Sequence, residues 1–305
     1  MPYILLLLIG LAALLAEPSH AQPLPGVAVS WAPEQPAQGS LFVVHARGDA
    51  ASTAVLQGVF ADEPLHFERQ ADGSFRALAA APIDAPESMP LRIYVADGRG
   101  HTDTLRVPVP VARGSYRMER LTVAPRYGRE PDPALAARMS SEAERARTVS
   151  RRSHDTPRLW DGEFVRPRPG RVTSGFGNGR EFNGQVQSRH MGTDFAGAIG
   201  APVHATAGGI VALVDTFYLG GGVVYLDHGA GLVSAYLHLS GAEVEMGDIV
   251  AAGQRIGRVG ATGRVTGPHL HWIVRYGGIT VDPLSLLQLN APLAGAPRGS
   301  TDLIR

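Results

Sequence analysis

The chain contains neither cysteine nor lysine. Without cysteine there are no disulfides, thiolate zinc knuckles, iron–sulfur clusters, cysteine nucleophiles or lipid-modified cysteines. Without lysine there is no lysine nucleophile or Schiff base. All 28 cations are arginine, and 28 Asp and Glu residues balance them to a formal net charge of zero. No global field therefore draws the chain to nucleic acid. No apolar run reaches the ~20 residues of a transmembrane helix; the longest, Tyr3–Ala16, has fourteen. Small residues follow it at Ser19 and Ala21, which predicts a secretory signal over residues 1–21, cleaved before Gln22. The remainder is expected to be exported, to a periplasm or to the cell exterior and wall, with no stable membrane insertion after cleavage. An exported chain without disulfides must rely on packing or on metal for its stability.

At 305 residues, 44% hydrophobic and 18% charged, the sequence has apolar material for more than one core, which argues against disorder or a coiled coil. Its 37 glycines and 23 prolines suggest many short strands joined by turns. Residues 22–112 hold seven candidate strands: Val27–Trp31, Leu41–Arg47, Ala54–Phe60, Leu65–Arg69, Ser74–Ala79, Leu91–Val95 and Thr104–Val111. Their spacing predicts an immunoglobulin-like sandwich. His45, His66 and His101 fall there without metal-like spacing. Residues 113–160 are expected to be a connector with one helix, begun by Asp132 as N-cap and Pro133 in the first turn. Leu135, Met139, Ala143, Ala146 and Val149 give it an apolar stripe, with Glu142 and Glu144 on the solvent side facing Arg145 and Arg147. Residues 161–289 form a second all-β region with hairpin signals at Gly220–Gly222, Gly229–Gly231 and Tyr276–Gly278. Residues 290–305 are polar and expected to be a loose tail.

Six of the eleven histidines lie between residues 190 and 271. In His190-Met191-Gly192-Thr193-Asp194, an extended chain points positions 190, 192 and 194 to one face. Glycine at the middle position leaves space there for a cation between imidazole and carboxylate. In Pro268-His269-Leu270-His271-Trp272-Ile273-Val274, alternation sends Leu270, Trp272 and Val274 to a core and both histidines to the opposite face. In Tyr236-Leu237-His238-Leu239, Tyr236 and His238 share a face. Two imidazoles and a carboxylate make a zinc site with a position open for water, and two further histidines suffice to move protons and stabilise an oxyanion. Alternation cannot decide which histidine of the pair 269/271 is the ligand. His204 and His228 are read as structural.

These segments, with Ser174-Gly175-Phe176-Gly177, Gly200-Ala201-Pro202-Val203 and Gly253-Gln254-Arg255-Ile256-Gly257, resemble the lysostaphin/LytM-type zinc metalloendopeptidases that cut peptidoglycan cross-links. The resemblance covers residues about 166–287. It implies an all-β architecture: a LytM-type antiparallel catalytic sheet, preceded by the sandwich and the helical connector. It also implies one Zn²⁺ held by His190, Asp194 and His271, with His238 and His269 assisting the water and the transition state, and peptidoglycan peptides as substrate. The main rival is a non-catalytic, wall-binding activator of other hydrolases that retains the fold. A non-haem iron oxygenase shares the two-histidine, one-carboxylate set.

Overall fold

The computed structural model describes residues 27–48, 55–96 and 102–289; the expected signal segment, His101 and the expected tail lie outside the described residues. The first eight strands are β1 (Val27–Ala32), β2 (Leu41–Gly48), β3 (Val55–Phe60), β4 (Glu63–Leu65), β5 (Glu68–Arg69), β6 (Phe75–Ala80), β7 (Ser88–Ala96) and β8 (Thr102–Pro110). They pair as two four-stranded sheets in the orders β1-β2-β6-β5 and β4-β3-β7-β8. Phe42 of one sheet meets Phe60 of the other edge-on at 5.1 Å, and Val44, Leu91 and Ile93 are buried with them. The inner faces therefore share one apolar layer, as in a sandwich. One expected strand, Leu65–Arg69, is in fact two short strands in opposite sheets. The chain crosses between sheets there, with Phe67 packed against the core.

Residues 113–160 hold more than the one expected helix. Strand β9 (Met118–Leu121) precedes α1 (Pro133–Arg152). Asp132 caps α1 by accepting from the Leu135 N–H at 2.9 Å, and Pro133 opens its first turn. The buried stripe differs from expectation. Ala143 is exposed and Glu142 is buried, because Glu142 accepts from the Tyr218 N–H at 2.8 Å and from Arg138 at 2.7 Å. A carboxylate that satisfies a backbone donor can replace an apolar residue in such a stripe. Arg145 does not pair with Glu142 but reaches Asp215 at 2.9 Å, whereas the Glu144–Arg147 pair forms at 3.0 Å.

The remaining strands are β10 (Val172–Ser174), β11 (Gly179–Phe182), β12 (Val186–Arg189), β13 (Thr193–Ala196), β14 (Pro202–His204), β15 (Gly209–Phe217) and β16 (Gly221–Gly229). After them come β17 (Leu232–Ala242), β18 (Ile249–Val250), β19 (Arg255–Val259), β20 (His269–Tyr276), β21 (Ile279–Val281) and the short helix α2 (Pro283–Gln288). Ten of these strands form one antiparallel sheet whose spine runs β10-β13-β20-β17-β16-β15-β18. Its three expected hairpins are all present.

The two faces of this sheet have different fates. Leu270, Trp272, Val274 and Tyr236 point into the main core, while Val233, Ala235, Leu237 and Tyr225 point the other way into a cluster that includes Ala146 of α1. Burying an aromatic ring such as Trp272 removes roughly 150–250 Å² from water, about 4–6 kcal/mol at ~25 cal/mol/Å². A one-residue slip of β20 would expose Trp272 and turn the histidines inward, so packing fixes the register.

The sandwich docks on this sheet. Leu41 N–H donates to Ser285 Oγ at 2.9 Å, Tyr276 Oη donates to the Pro64 carbonyl at 2.7 Å, and Arg158 pairs with Glu68 at 2.7 Å. His66 and His154 approach at 2.8 Å between ring nitrogens, and His154 reaches Glu63 at 2.8 Å. His66 is thus a junction residue, not an isolated strand histidine. Among the described residues, no helix is long and apolar enough to cross a membrane.

Candidate metal centre

Asp194 on β13 stands directly opposite His271 on β20, and His271 stands opposite Leu237 on β17. This row lies on the face of the sheet that α1 covers further along. His190 sits just before β13. Its Nε2 is 3.0 Å from Asp194 Oδ1 and 3.0 Å from His271 Nδ1, and His271 Nδ1 is 2.7 Å from Asp194 Oδ1. All three side chains are buried. His190 Nδ1 lies 2.7 Å from the Gly175 carbonyl, which can only accept, so the proton sits on Nδ1 and Nε2 presents a lone pair. That lone pair, a carboxylate oxygen and a second imidazole nitrogen converge with too few protons to satisfy them all. A cation resolves the conflict. Tetrahedral zinc with bonds of ~2.0–2.1 Å would space its ligands about 3.3 Å apart, so small outward shifts admit it.

The electrostatics agree with this donor set. Burial alone would raise the Asp194 carboxyl, but its contacts with His190 and His271 outweigh that and hold it well below the usual carboxylate range. Burial pushes His271 down to about 4 despite Asp194 beside it. Asp194 is therefore a carboxylate and His271 a neutral imidazole, the charge states in which these side chains ligate a metal.

Gly192 works differently from the expectation. A Cβ there would meet His271 Cε1 at 2.6 Å and the Trp272 carbonyl at 2.6 Å, so the missing side chain makes room for the His271 ring and leaves no open cation space.

His238 corrects a second expectation, because it does not share a face with Tyr236. Its φ of +63° interrupts the alternation of β17. Tyr236 and Leu239 remain in the main core, and the His238 ring swings to 4.9 Å from His269 and 5.7 Å from His271. A non-glycine residue held in the left-handed region costs of order 1–3 kcal/mol and persists where its surroundings dictate it. Here the Thr262 carbonyl accepts from His238 Nδ1 at 2.8 Å. The Thr262 loop lies so close to Gly221, itself at φ +62°, that a Cβ there would meet Thr262 Oγ1 at 2.1 Å. His269 Nδ1 likewise donates to the Gly267 carbonyl at 2.8 Å, and its Nε2 is 3.7 Å from Asp194 Oδ1. Both histidines keep Nε2 free as an acceptor. All five sequence-selected residues are thus brought together.

Two residues at this centre escaped the sequence reading. Arg180 on β11 donates to Asp194 Oδ2 at 2.6 Å and to Glu119 Oε2 at 3.0 Å. Glu119, on β9 of the connector, also accepts from Ser174 Oγ at 2.7 Å and Asn178 Nδ2 at 2.8 Å. Parallel pairing of β9 with β11 places Glu119 opposite Arg180. The arginine occupies one carboxylate oxygen of Asp194 and leaves Oδ1 to face His190 and His271. Nothing in the Glu119 sequence context marks it, because its partners lie 55 to 61 residues away. Glu119→Gln is expected to weaken metal affinity about 10–100-fold, the usual effect of losing a residue that orients a ligand. Competition with a chromophoric chelator measures it; an unchanged dissociation constant would exclude the role.

Of the two histidines set aside, His204 is half-buried on β14. His228 lies within β16, not in the hairpin, and is fully buried between the Gly208 carbonyl (2.7 Å) and Ser234 Oγ (2.8 Å). Burial pushes it from 6.5 down to about 4. The unfolded chain therefore takes up a proton that the folded chain refuses. Its contribution is complete above pH 6.5 and is lost as pH falls towards 4, about 3 kcal/mol in all. Urea midpoints should fall across that window, with a shallower slope for His228→Gln.

A histidine–carboxylate–histidine cluster on an antiparallel sheet, with two more imidazoles offering free nitrogens beside it, is the arrangement of a single-ion metallohydrolase. Residues 188–283 match the model of Peptidase family M23, and the chain carries a domain of that family. Over 107 residues it is 42% identical to peptidoglycan DD-endopeptidase ShyA of Vibrio cholerae, covering 35% of this chain and 24% of that protein. Over 154 residues it is 36% identical to ShyB of the same organism, covering 50% and 35%. The chain thus spans a quarter to about a third of the length of these relatives. A solved peptidase M23 structure from Pseudomonas aeruginosa matches with a TM-score of 0.64 and 27% identity, over 83% of this chain and 95% of that one. That coverage exceeds what the residues after the sandwich can supply, so the likeness extends into the N-terminal half.

Proposed function

We propose that the protein is a zinc-dependent endopeptidase that hydrolyses peptide cross-links or stem peptides of bacterial peptidoglycan. The convergence of His190 Nε2, Asp194 Oδ1 and His271 Nδ1 carries this reading, and these three residues are taken as the ligands of one Zn²⁺. When bound, zinc supplies Lewis acidity that acidifies water and polarises a carbonyl oxygen. The protein's own groups do the rest. Arg180, braced by Glu119, keeps Asp194 turned towards the two imidazoles. His238 and His269, with protons fixed on Nδ1 by backbone carbonyls, use Nε2 to accept the proton of the attacking water. In protonated form they stabilise the tetrahedral oxyanion and return a proton to the leaving amine. Segments from β9 to β20 build this site, and the names of the relatives support the substrate class.

Incubation of purified sacculi with the protein should release cross-link fragments, cease on chelation and resume on addition of zinc. Release that survives complete chelation would defeat the proposal. An activator of other hydrolases would bind sacculi and release nothing by itself; a filled set of five residues supports the enzyme instead. Metal analysis separates zinc from the iron of an oxygenase.

The domain limits that accompany this proposal are a signal at 1–21, the sandwich at 22–112, the connector at 113–160, the peptidase domain at 161–289 and a tail at 290–305, in an exported protein acting at the wall. The pairing orders 1-2-6-5 and 4-3-7-8 support an immunoglobulin-like reading of the sandwich. Among the described residues, none of the sandwich lines either of the two cavities beside the candidate ligands, whereas Glu119 and Leu121 of the connector line one. A spacer or docking role for the sandwich is supported over masking of the groove. Strand β9 belongs functionally with the peptidase domain.

A further inference from the structure

Two cavities flank the candidate metal centre. One, of about 330 Å³, includes Asp194, His269, Glu119 and Arg171 in its wall. The other, of about 180 Å³, includes His190, His238, His271 and Arg189. Arg180, Phe182 and Arg264 line both. A peptide laid across the centre from one cavity into the other would pass these three side chains.

Arg180 is already committed to Asp194 and Glu119. Arg264 is not. Its guanidinium carbon sits over the Phe182 ring, 3.9 Å from the centroid, and its backbone is pinned by donation to the Leu219 carbonyl at 2.9 Å. Its side chain has one long contact, to Ser188 Oγ at 3.5 Å. No carboxylate among the described residues pairs with it; burial, with the charge of Arg180, pushes Arg264 down to about 10. The smaller cavity adds Arg180, Arg189 and Arg264 together and has no acidic residue in its wall. A chain with zero net charge has concentrated cations where a substrate would lie. The Phe182 ring anchors the Arg264 fork, and several of its five N–H donors are left without a strong acceptor, the arrangement that binds a carboxylate in two-point fashion.

We propose that Arg264 is a specificity residue that binds a free carboxylate of the substrate peptide close to the scissile bond. This rests on the peptidase reading and narrows its substrate class to peptides that carry such a carboxylate.

The test uses a synthetic cross-linked peptide dimer and versions in which its terminal or its side-chain carboxylates are converted singly to carboxamides. Dissociation constants are measured by calorimetry on the chelated full-length protein, and kcat/KM on the zinc-loaded protein. Amidation of the recognised carboxylate should weaken binding to the wild type about 10–100-fold, the worth of a charge-assisted contact. In Arg264→Gln the ratio between the two peptides should fall to within about threefold; Arg264→Lys, which keeps charge without the fork, should lie between. The two single amidations tell which carboxylate is recognised. A wild type indifferent to every amidation would overturn the inference. So would an Arg264→Gln protein that discriminates as the wild type does, or one that binds all versions equally more weakly, since the residue would then only support the wall. Because binding is read without turnover, discrimination in a protein that cleaves nothing would uphold the inference while defeating the peptidase reading.

Discussion

His190→Ala protein is expected to leave gel filtration without zinc and to release no fragments from sacculi above background. His190 is among the most enclosed polar groups of the chain at 2% exposure, and its orientation is fixed by the Gly175 carbonyl on the far side of the ring. Without it, Asp194 and His271 remain with Arg180 beside them. Such a carboxylate pairs readily with the guanidinium, so two ligands compete against an internal ion pair. Loss of one of three protein ligands should lower zinc affinity by more than about 10³-fold, and cleavage should fall with it because the Lewis acid supplies several kcal/mol of the barrier reduction. His204→Ala is the control: it removes a half-buried histidine of the same sheet and should leave zinc content and release unchanged. Wild-type zinc content in His190→Ala would remove the residue from the ligand set.

His238→Ala is expected to behave in the opposite sense, keeping zinc while turnover falls about 10²–10⁴-fold, the range for losing general acid–base help. His238 touches none of the three candidate ligand atoms; its ring lies 5.7 Å from that of His271. Its left-handed backbone supplies a check on interpretation. Alanine is strained at φ +63° by roughly 1–2 kcal/mol, whereas glycine is not. If the loss of turnover is chemical, His238→Gly and His238→Ala should be equally slow although the glycine variant is the more stable in urea. If it stems from misfolding, glycine should recover much of the rate. Equal zinc binding with equal, deep loss in both is the expected result.

The sequence by itself determined the ingredients of the site. Five residues stood out because metal chemistry demands particular side chains at short spacings, and strand alternation sends His269 and His271 to one face whatever the rest of the chain does. The hairpins and the start of α1 were legible for the same reason, since turn glycines and an Asp-Pro cap act within a few residues.

Features that depend on contacts between distant segments could only be decided by the tertiary structure. Which side of β17 carries His238 was settled by the Thr262 loop, reached across Gly221, and the local alternation rule gave the wrong face. Glu142 joined the buried stripe of α1 because the Tyr218 N–H, 76 residues away, needed an acceptor. Arg180 and Glu119 became part of the candidate metal centre through parallel pairing of β9 with β11. Local patterns fix what a residue can offer; folding decides which unsatisfied donors, acceptors and charges it meets, and that balance is set by desolvation at contacts between segments far apart in the chain.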